Sequence, residues 1–216
     1  MPAVTEDGSR QLCRMCTFAL RIILQKAEGV WKGCRERERP GKGKTMKRVA
    51  QFFKVSYENF AGAVQGDFPE YSDAEIRDIY EGIRLPRRAT RGSAGYDFFA
   101  PFAFRLAPGE TVKIPTGIRA RIDEDWVLKL YPRSGLGFKY RLQMNNTVGI
   151  IDSDYYNSDN QGHIFIKMTN DTNEDRTVEV ARGTGFAQGI FIEYGITVDD
   201  EADGVRNGGL GSTTGQ

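Results

Sequence analysis

Several short segments carry residue types suited to chemistry on a phosphorylated ligand. In Pro132-Arg133-Ser134-Gly135-Leu136-Gly137, Arg133 offers a charged fork of donors and Ser134 a hydroxyl. Gly135 and Gly137 let backbone amides come close to an anion. Thr147-Val148-Gly149-Ile150-Ile151-Asp152-Ser153-Asp154-Tyr155 reads as a hairpin. An exposed hairpin backbone presents the alternating donors and acceptors that complement the edge of a flat base such as uracil. Gly149 removes a side chain that would block that approach, and Asn146 adds an amide that both donates and accepts. Tyr155 can stack or pack on a ring. Asp152, ionised near neutrality, can orient and deprotonate a water. The plainer alternative is an Asp-rich turn with Tyr155 in the core.

Three further positions extend this set. Asp97, beside a glycine in Ala94-Gly95-Tyr96-Asp97, can hold a metal-bound water or simply cap a turn. Gln188 in Phe186-Ala187-Gln188 can reach a phosphate or face outward from a strand. The tail from Arg206 through Gly208, Gly209, Leu210, Gly211, Ser212 and Thr213 can wrap a polyphosphate with amides, hydroxyls and one guanidinium. The lone histidine, His163, stands at a strand start and is assigned no role. Cys13 and Cys16 have C-x-x-C spacing but lack a second ligand pair, so no zinc site is expected.

The elements that must position these residues follow from patterning. Residues 46–86 read as a helical extension, with an apolar stripe from Val49, Phe52, Phe53, Val55 and Phe60. Within it, Ser72 and Glu75 form a capping box before Ile76, Ile79, Tyr80 and Ile83. Residues 87–198 change texture. Short alternating or apolar runs are separated by Gly, Pro, Asn and Asp, which predicts an all-β sandwich or barrel of jelly-roll type. Strands are expected over 96–100, 111–122, 127–131, 141–145, 149–151, 163–169, 177–181 and 188–197. Residues 199–216 read as a flexible glycine-rich arm that a ligand would order.

The chain of 216 residues is 39% hydrophobic and carries a net charge of +1, so no global field favours nucleic acid or an anionic membrane. No apolar run is long enough for a membrane-spanning helix. Charge is uneven: residues 1–45 hold 10 basic and 5 acidic side chains and all three cysteines. They read as a disordered basic leader, with Met46 as the expected natural start.

Five segments in order, SAGYD at 93–97, PRSGLG at 132–137, VGIIDSDY at 148–155, GFAQ at 185–188 and RNGGLGST at 206–213, resemble the motifs of the trimeric all-β dUTPases. The resemblance runs from about Leu85 to Gly215. It implies a distorted jelly-roll or β-clip barrel, a cytoplasmic homotrimer with shared active sites, and hydrolysis of dUTP to dUMP and pyrophosphate. It also implies roles by position. Asp152 is the base that activates water. Asn146 and the backbone of Gly149, Ile150 and Ile151 recognise uracil, and Tyr155 packs under the deoxyribose. Arg133, Ser134, Gly135 and Gln188 contact phosphates, and Asp97 touches the water shell of Mg²⁺. Arg206, Gly208, Gly209, Leu210, Gly211, Ser212 and Thr213 close over the triphosphate.

Three positions depart from the family pattern. Leu210 stands where an aromatic is usual. Gly185 stands where arginine is usual. The loop after Tyr155 is about five residues longer. Two other activities remain open on this scaffold, a dCTP deaminase and a nucleotide-gated regulatory binding protein.

Overall fold

The segment Ala50–Lys54, with Phe52 buried and Gln51 exposed, is a strand rather than the start of a helix. Strand β1 (Ala50–Lys54) pairs antiparallel with β6 (Ile118–Ile122), and Phe52 packs edge-on to Tyr96 and Phe98. The helical expectation for residues 46–54 therefore fails. Aromatic and β-branched side chains fit a half-buried pleat, and a paired partner strand satisfies the backbone. The computed structural model describes residues 46–206 and Gly208. The leader 1–45 and most of the arm, including Gly209, Leu210, Gly211, Ser212 and Thr213, lie outside the described residues.

Two helices follow the first strand. Helix α1 (Tyr57–Asp67) starts at Ser56, whose hydroxyl accepts from the Asn59 amide, and it buries Phe60, Ala61 and Val64. Helix α2 (Asp73–Glu81) starts at the expected capping box, in which Ser72 and Glu75 satisfy each other's backbone amides. That bonding to Ser72 holds the Glu75 carboxyl below its ordinary range. Ile76 and Ile79 face inward.

The remainder is antiparallel β structure. The strands are β2 (Arg87–Arg88), β3 (Tyr96–Phe99), β4 (Phe104–Leu106), β5 (Thr111–Pro115), β6, β7 (Trp126–Pro132), β8 (Leu142–Met144), β9 (Gly149–Ile151), β10 (Phe165–Asn170), β11 (Val178–Val180) and β12 (Gly185–Glu193). The expected strand over 111–122 is two strands, broken at Gly117, where φ is +69°. After Pro132 the chain forms a short helix, α3 (Ser134–Tyr140). A 3₁₀ turn covers Ser153–Asn157.

Among the described residues the strands form the antiparallel sheets β1-β6, β5-β10-β8, β11-β4 and β2-β3-β12-β7-β9. The core runs between them through Phe60, Phe98, Ile114, Leu128, Ile166 and Phe186. Among the described residues, no helix is long and apolar enough to cross a membrane.

Candidate active site

The five-stranded sheet gathers the predicted anion-binding residues at one end. On β12, Gln188 stands opposite Asp97 of β3 and Tyr131 of β7. Its side-chain amide donates to the Pro132 carbonyl at 3.2 Å. Arg133 Nε lies 3.4 Å from Asp97 Oδ1, and its Nη1 donates to the Gly185 carbonyl at 3.4 Å. The chain then enters α3, whose first residues, Ser134 and Gly135, lie at the surface, with open space beside Gly135. A cavity of about 550 Å³ opens here, lined by Tyr131, Arg133, Ser134, Phe138, Gln188 and Ile190. A second cavity, of about 420 Å³, lies against Tyr71 and Phe104 and contains none of the predicted site residues.

The base-binding candidates lie on the turn between β8 and β9 and on β9 itself; these strands pair with β10 and β7 in different sheets, so the expected hairpin is instead a connection between sheets. Asn146 and Thr147 are exposed in that turn, and Thr147 has φ of +64°. A β-branched residue in the left-handed region is costly, and such strain gathers where a turn must present groups in a set direction. Strand β9 pairs with β7 along one edge, Gly149 opposite Leu130 and Ile151 opposite Leu128. Among the described residues no strand pairs with its other edge, so that edge can offer its donors and acceptors to a ligand.

The expected reason for Gly149 needs correction. Gly149 is buried, and a Cβ there would come within 3.0 Å of Leu130 Cβ and 3.2 Å of Met144 Cε. Tight packing against Leu130 and Met144 behind β9 favours the glycine. The exposed side chain of this strand is Ile150, while Ile151 turns inward.

Asp152 ends the strand and caps the 3₁₀ turn. Arg206 Nη2 donates to Asp152 Oδ2 at 2.6 Å, and Arg206 Nε lies 3.0 Å from Asp154 Oδ1. The guanidinium sits 5.7 Å from the centre of the Tyr155 ring. Arg206 thus meets the candidate base of its own chain, not the anion-binding end of the sheet. Asp154 and this pairing lie beyond the sequence reading; two carboxylates flanking a turn and a conspicuous arginine in the tail are the available signal.

Tyr155 is buried, with its hydroxyl donating to the His163 carbonyl at 2.7 Å and accepting from Asn160 Nδ2 at 2.8 Å. Burial pushes its phenol above the ordinary value, which keeps the proton on that donor. His163, given no role from sequence, lies fully buried behind it. The Gly117 amide donates to His163 Nε2 at 2.9 Å, so the ring proton is assigned to Nδ1, which faces Asn59 Oδ1 at 2.9 Å. Burial lowers the His163 pKa to about 4.

The two ends of the site are far apart within one chain. Asp152 follows the residue opposite Leu128, whereas Arg133 lies past the far end of β7. At about 3.3 Å per strand residue the separation is roughly 20 Å.

A family model, dUTPase, matches residues 81–214. The chain belongs to the dUTPase family. The deoxyuridine 5'-triphosphate nucleotidohydrolase of Lactococcus lactis is 43% identical over 135 residues, covering 61% of this chain and 89% of that protein. The Haemophilus influenzae PittEE enzyme of the same name is 39% identical over 149 residues, covering 64% and 94%. The crystal structure of the Streptococcus mutans dUTPase aligns with a TM-score of 0.50 at 33% identity, over 68% of this chain and 97% of that one. A point mutant of the dUTPase from Staphylococcus aureus phage phi11, described with a structural Mg(II) ion, shares the fold at 20% identity with a TM-score of 0.50, over 73% and 98%. The all-β expectation is met by these dUTPases and by the antiparallel sheets described above.

At Gly185, where the resemblance leads to the expectation of an arginine, the structure shows what occupies the space. A Cβ on Gly185 would lie 2.7 Å from Arg133 Nη1, so the Arg133 guanidinium rests over the glycine. As for metal, no group of three or more His, Cys, Asp or Glu side chains gathers among the described residues. One partly covered carboxylate, Asp97, stands at the anion-binding end. A carboxylate so placed fits a Mg²⁺ ion that the protein touches through water.

Proposed function

We propose that the chain hydrolyses dUTP to dUMP and pyrophosphate in the cytoplasm, as a homotrimer with shared sites. The observation that carries this reading, beside family membership, is the open edge of β9 ending in Asp152, with Tyr155 buried next to it. The uracil edge bonds to the backbone of Gly149, Ile150 and Ile151 and to Asn146. Tyr155 lies beneath the deoxyribose. Asp152 takes the proton of a water as that water attacks the α-phosphorus, and pyrophosphate leaves. Arg133, Ser134, Gly135 and Gln188 bind the phosphates and stabilise the charge that develops on them. Mg²⁺, when bound to the triphosphate, neutralises part of its charge and fixes its shape, with Asp97 touching its water shell. The arm from Arg206 and Gly208 through Gly209, Leu210, Gly211, Ser212 and Thr213 closes over the phosphates. Arg206 leaves Asp152 as it does so, which frees the carboxylate to act as a base.

The roughly 20 Å between Asp152 and Arg133, at about 3.3 Å per strand residue, supports the shared-site arrangement. A dUTP molecule bound along β9 of one protomer needs the Arg133 face of another. Pyrophosphate release with dUTP, dTTP, dCTP and UTP as substrates tests the proposal: turnover is expected for dUTP, with the others slower by at least two orders of magnitude. Ammonia release from dCTP would instead reveal a deaminase, and nucleotide binding without turnover a regulatory protein.

A further inference from the structure

The fold brings together two features. One is the segment preceding residue 81, outside the matched family region; the other is the loop between Tyr155 and Gly162, which the resemblance to the family reads as lengthened. The N-terminus of α1 docks directly on that loop. Gln161 Oε1 accepts from the Ser56 amide at 2.9 Å, and Gln161 Nε2 donates to the Ser56 hydroxyl at 3.1 Å. Asn59 Nδ2 donates to the Asn160 carbonyl at 3.1 Å, while Asn59 Oδ1 accepts from His163 Nδ1.

From there the bonds converge on one side chain. Asn160 Nδ2 and the His163 carbonyl hold the Tyr155 hydroxyl from both sides. Ser158 Oγ lies 2.7 Å from both the Tyr155 carbonyl and Asn160 Oδ1, and the Gly162 amide closes the loop on Ser158 Oγ and Asn160 Oδ1. Gly162 has φ of +68°, and a Cβ there would lie 2.7 Å from the Tyr155 carbonyl oxygen, so the loop can close this tightly only with glycine.

We infer that Asn59, Asn160 and His163 are positioning residues for Tyr155, and that α1 and the lengthened loop jointly set sugar selection. The inference rests on the proposed place of Tyr155 beneath the deoxyribose. An apolar wall rejects an added hydroxyl only weakly unless it cannot yield. A ring whose hydroxyl is bonded on two sides, in a network with buried members, cannot tilt away from a 2′-hydroxyl without breaking those bonds. Asn59 therefore acts on specificity from outside the matched family region, without touching substrate.

The test is kcat/KM for dUTP and for UTP, measured on the full chain and its Asn59→Ala and Asn160→Ala variants. The dUTP/UTP preference is expected to fall roughly fivefold to tenfold, the size of one net hydrogen bond. UTP should gain while kcat for dUTP stays within about twofold. Simple destabilisation lowers both substrates together and leaves the ratio alone. Gln161→Ala, which removes only the Ser56 contacts, provides a milder variant should the others fail to fold, with an expected shift of about twofold. An unchanged ratio in the folded variants overturns the inference. A wild-type chain that does not turn over dUTP removes the reading it rests on, and the inference with it.

Discussion

Tyr155 is buried and held at its hydroxyl by Asn160 and the His163 carbonyl, and His163 behind it has no exposed surface. At the far end of the same sheet, Arg133 and Gln188 are partly exposed, on long side chains with few partners. The contrast tracks what each end is proposed to recognise. Telling one base and sugar from another depends on shape, and shape is read only by groups that do not move. A polyphosphate is recognised by charge, which acts over several ångströms and tolerates an adjustable guanidinium.

The strongest attempt to break this contrast is Asp152→Asn. It keeps the shape of the turn after β9 but removes the base. It should lower kcat by about 10² to 10⁴, with dUTP still bound and the oligomer intact. Single-turnover pyrophosphate release and equilibrium binding check this; normal turnover would remove Asp152 from its role.

The buried end, around Tyr155 and His163, also has a pH signature. Burial holds the His163 pKa at about 4, while in the unfolded chain it returns to its ordinary value of 6.5. The unfolded chain therefore takes up a proton that the folded chain refuses. The stability tied to neutral His163 is complete above about pH 6.5 and is lost as pH falls, by roughly 3 kcal/mol at pH 4. Its ring meets Asn59, the Gly117 amide, Phe60 and Phe165, so among the described residues these contacts include no carboxylate to offset the loss. Urea midpoints between pH 7 and 4 should fall more steeply for the wild type than for His163→Gln.

At the adjustable end the expected effects are smaller. Arg133→Ala should raise KM for dUTP about tenfold, in line with one lost charged hydrogen-bonding group, while leaving the dUTP/UTP preference unchanged. A change in that preference would erase the distinction between the two ends. Leu210→Phe should lower KM roughly twofold, by the modest gain of an aromatic contact over the base; an unchanged or higher KM would contradict it.

Much of this is legible without coordinates. The capping box at Ser72, the turn-rich all-β texture and the five ordered motifs each depend on local residue types. The strand at Ala50–Lys54 is not, because Val49, Phe52, Phe53 and Val55 satisfy a helical stripe about as well as a pleat, and only pairing with Ile118–Ile122 decides between them. Helix α3 is hidden by its glycines, which suggest a turn. The role of His163 has no local signal, since its partners Asn59 and Gly117 lie 104 and 46 residues away.

The sequence alone determined the residues able to bind phosphates, pair with a base and activate water, because those capacities belong to side-chain chemistry and short spacing. Tertiary structure decided how they are arranged. It placed Asp152 and Arg133 at opposite ends of β7, assigned Gly149 to the core, and drew Asn59 and His163 in behind Tyr155. Long-range packing and hydrogen bonding choose such partners, and neither leaves a periodic trace along the chain.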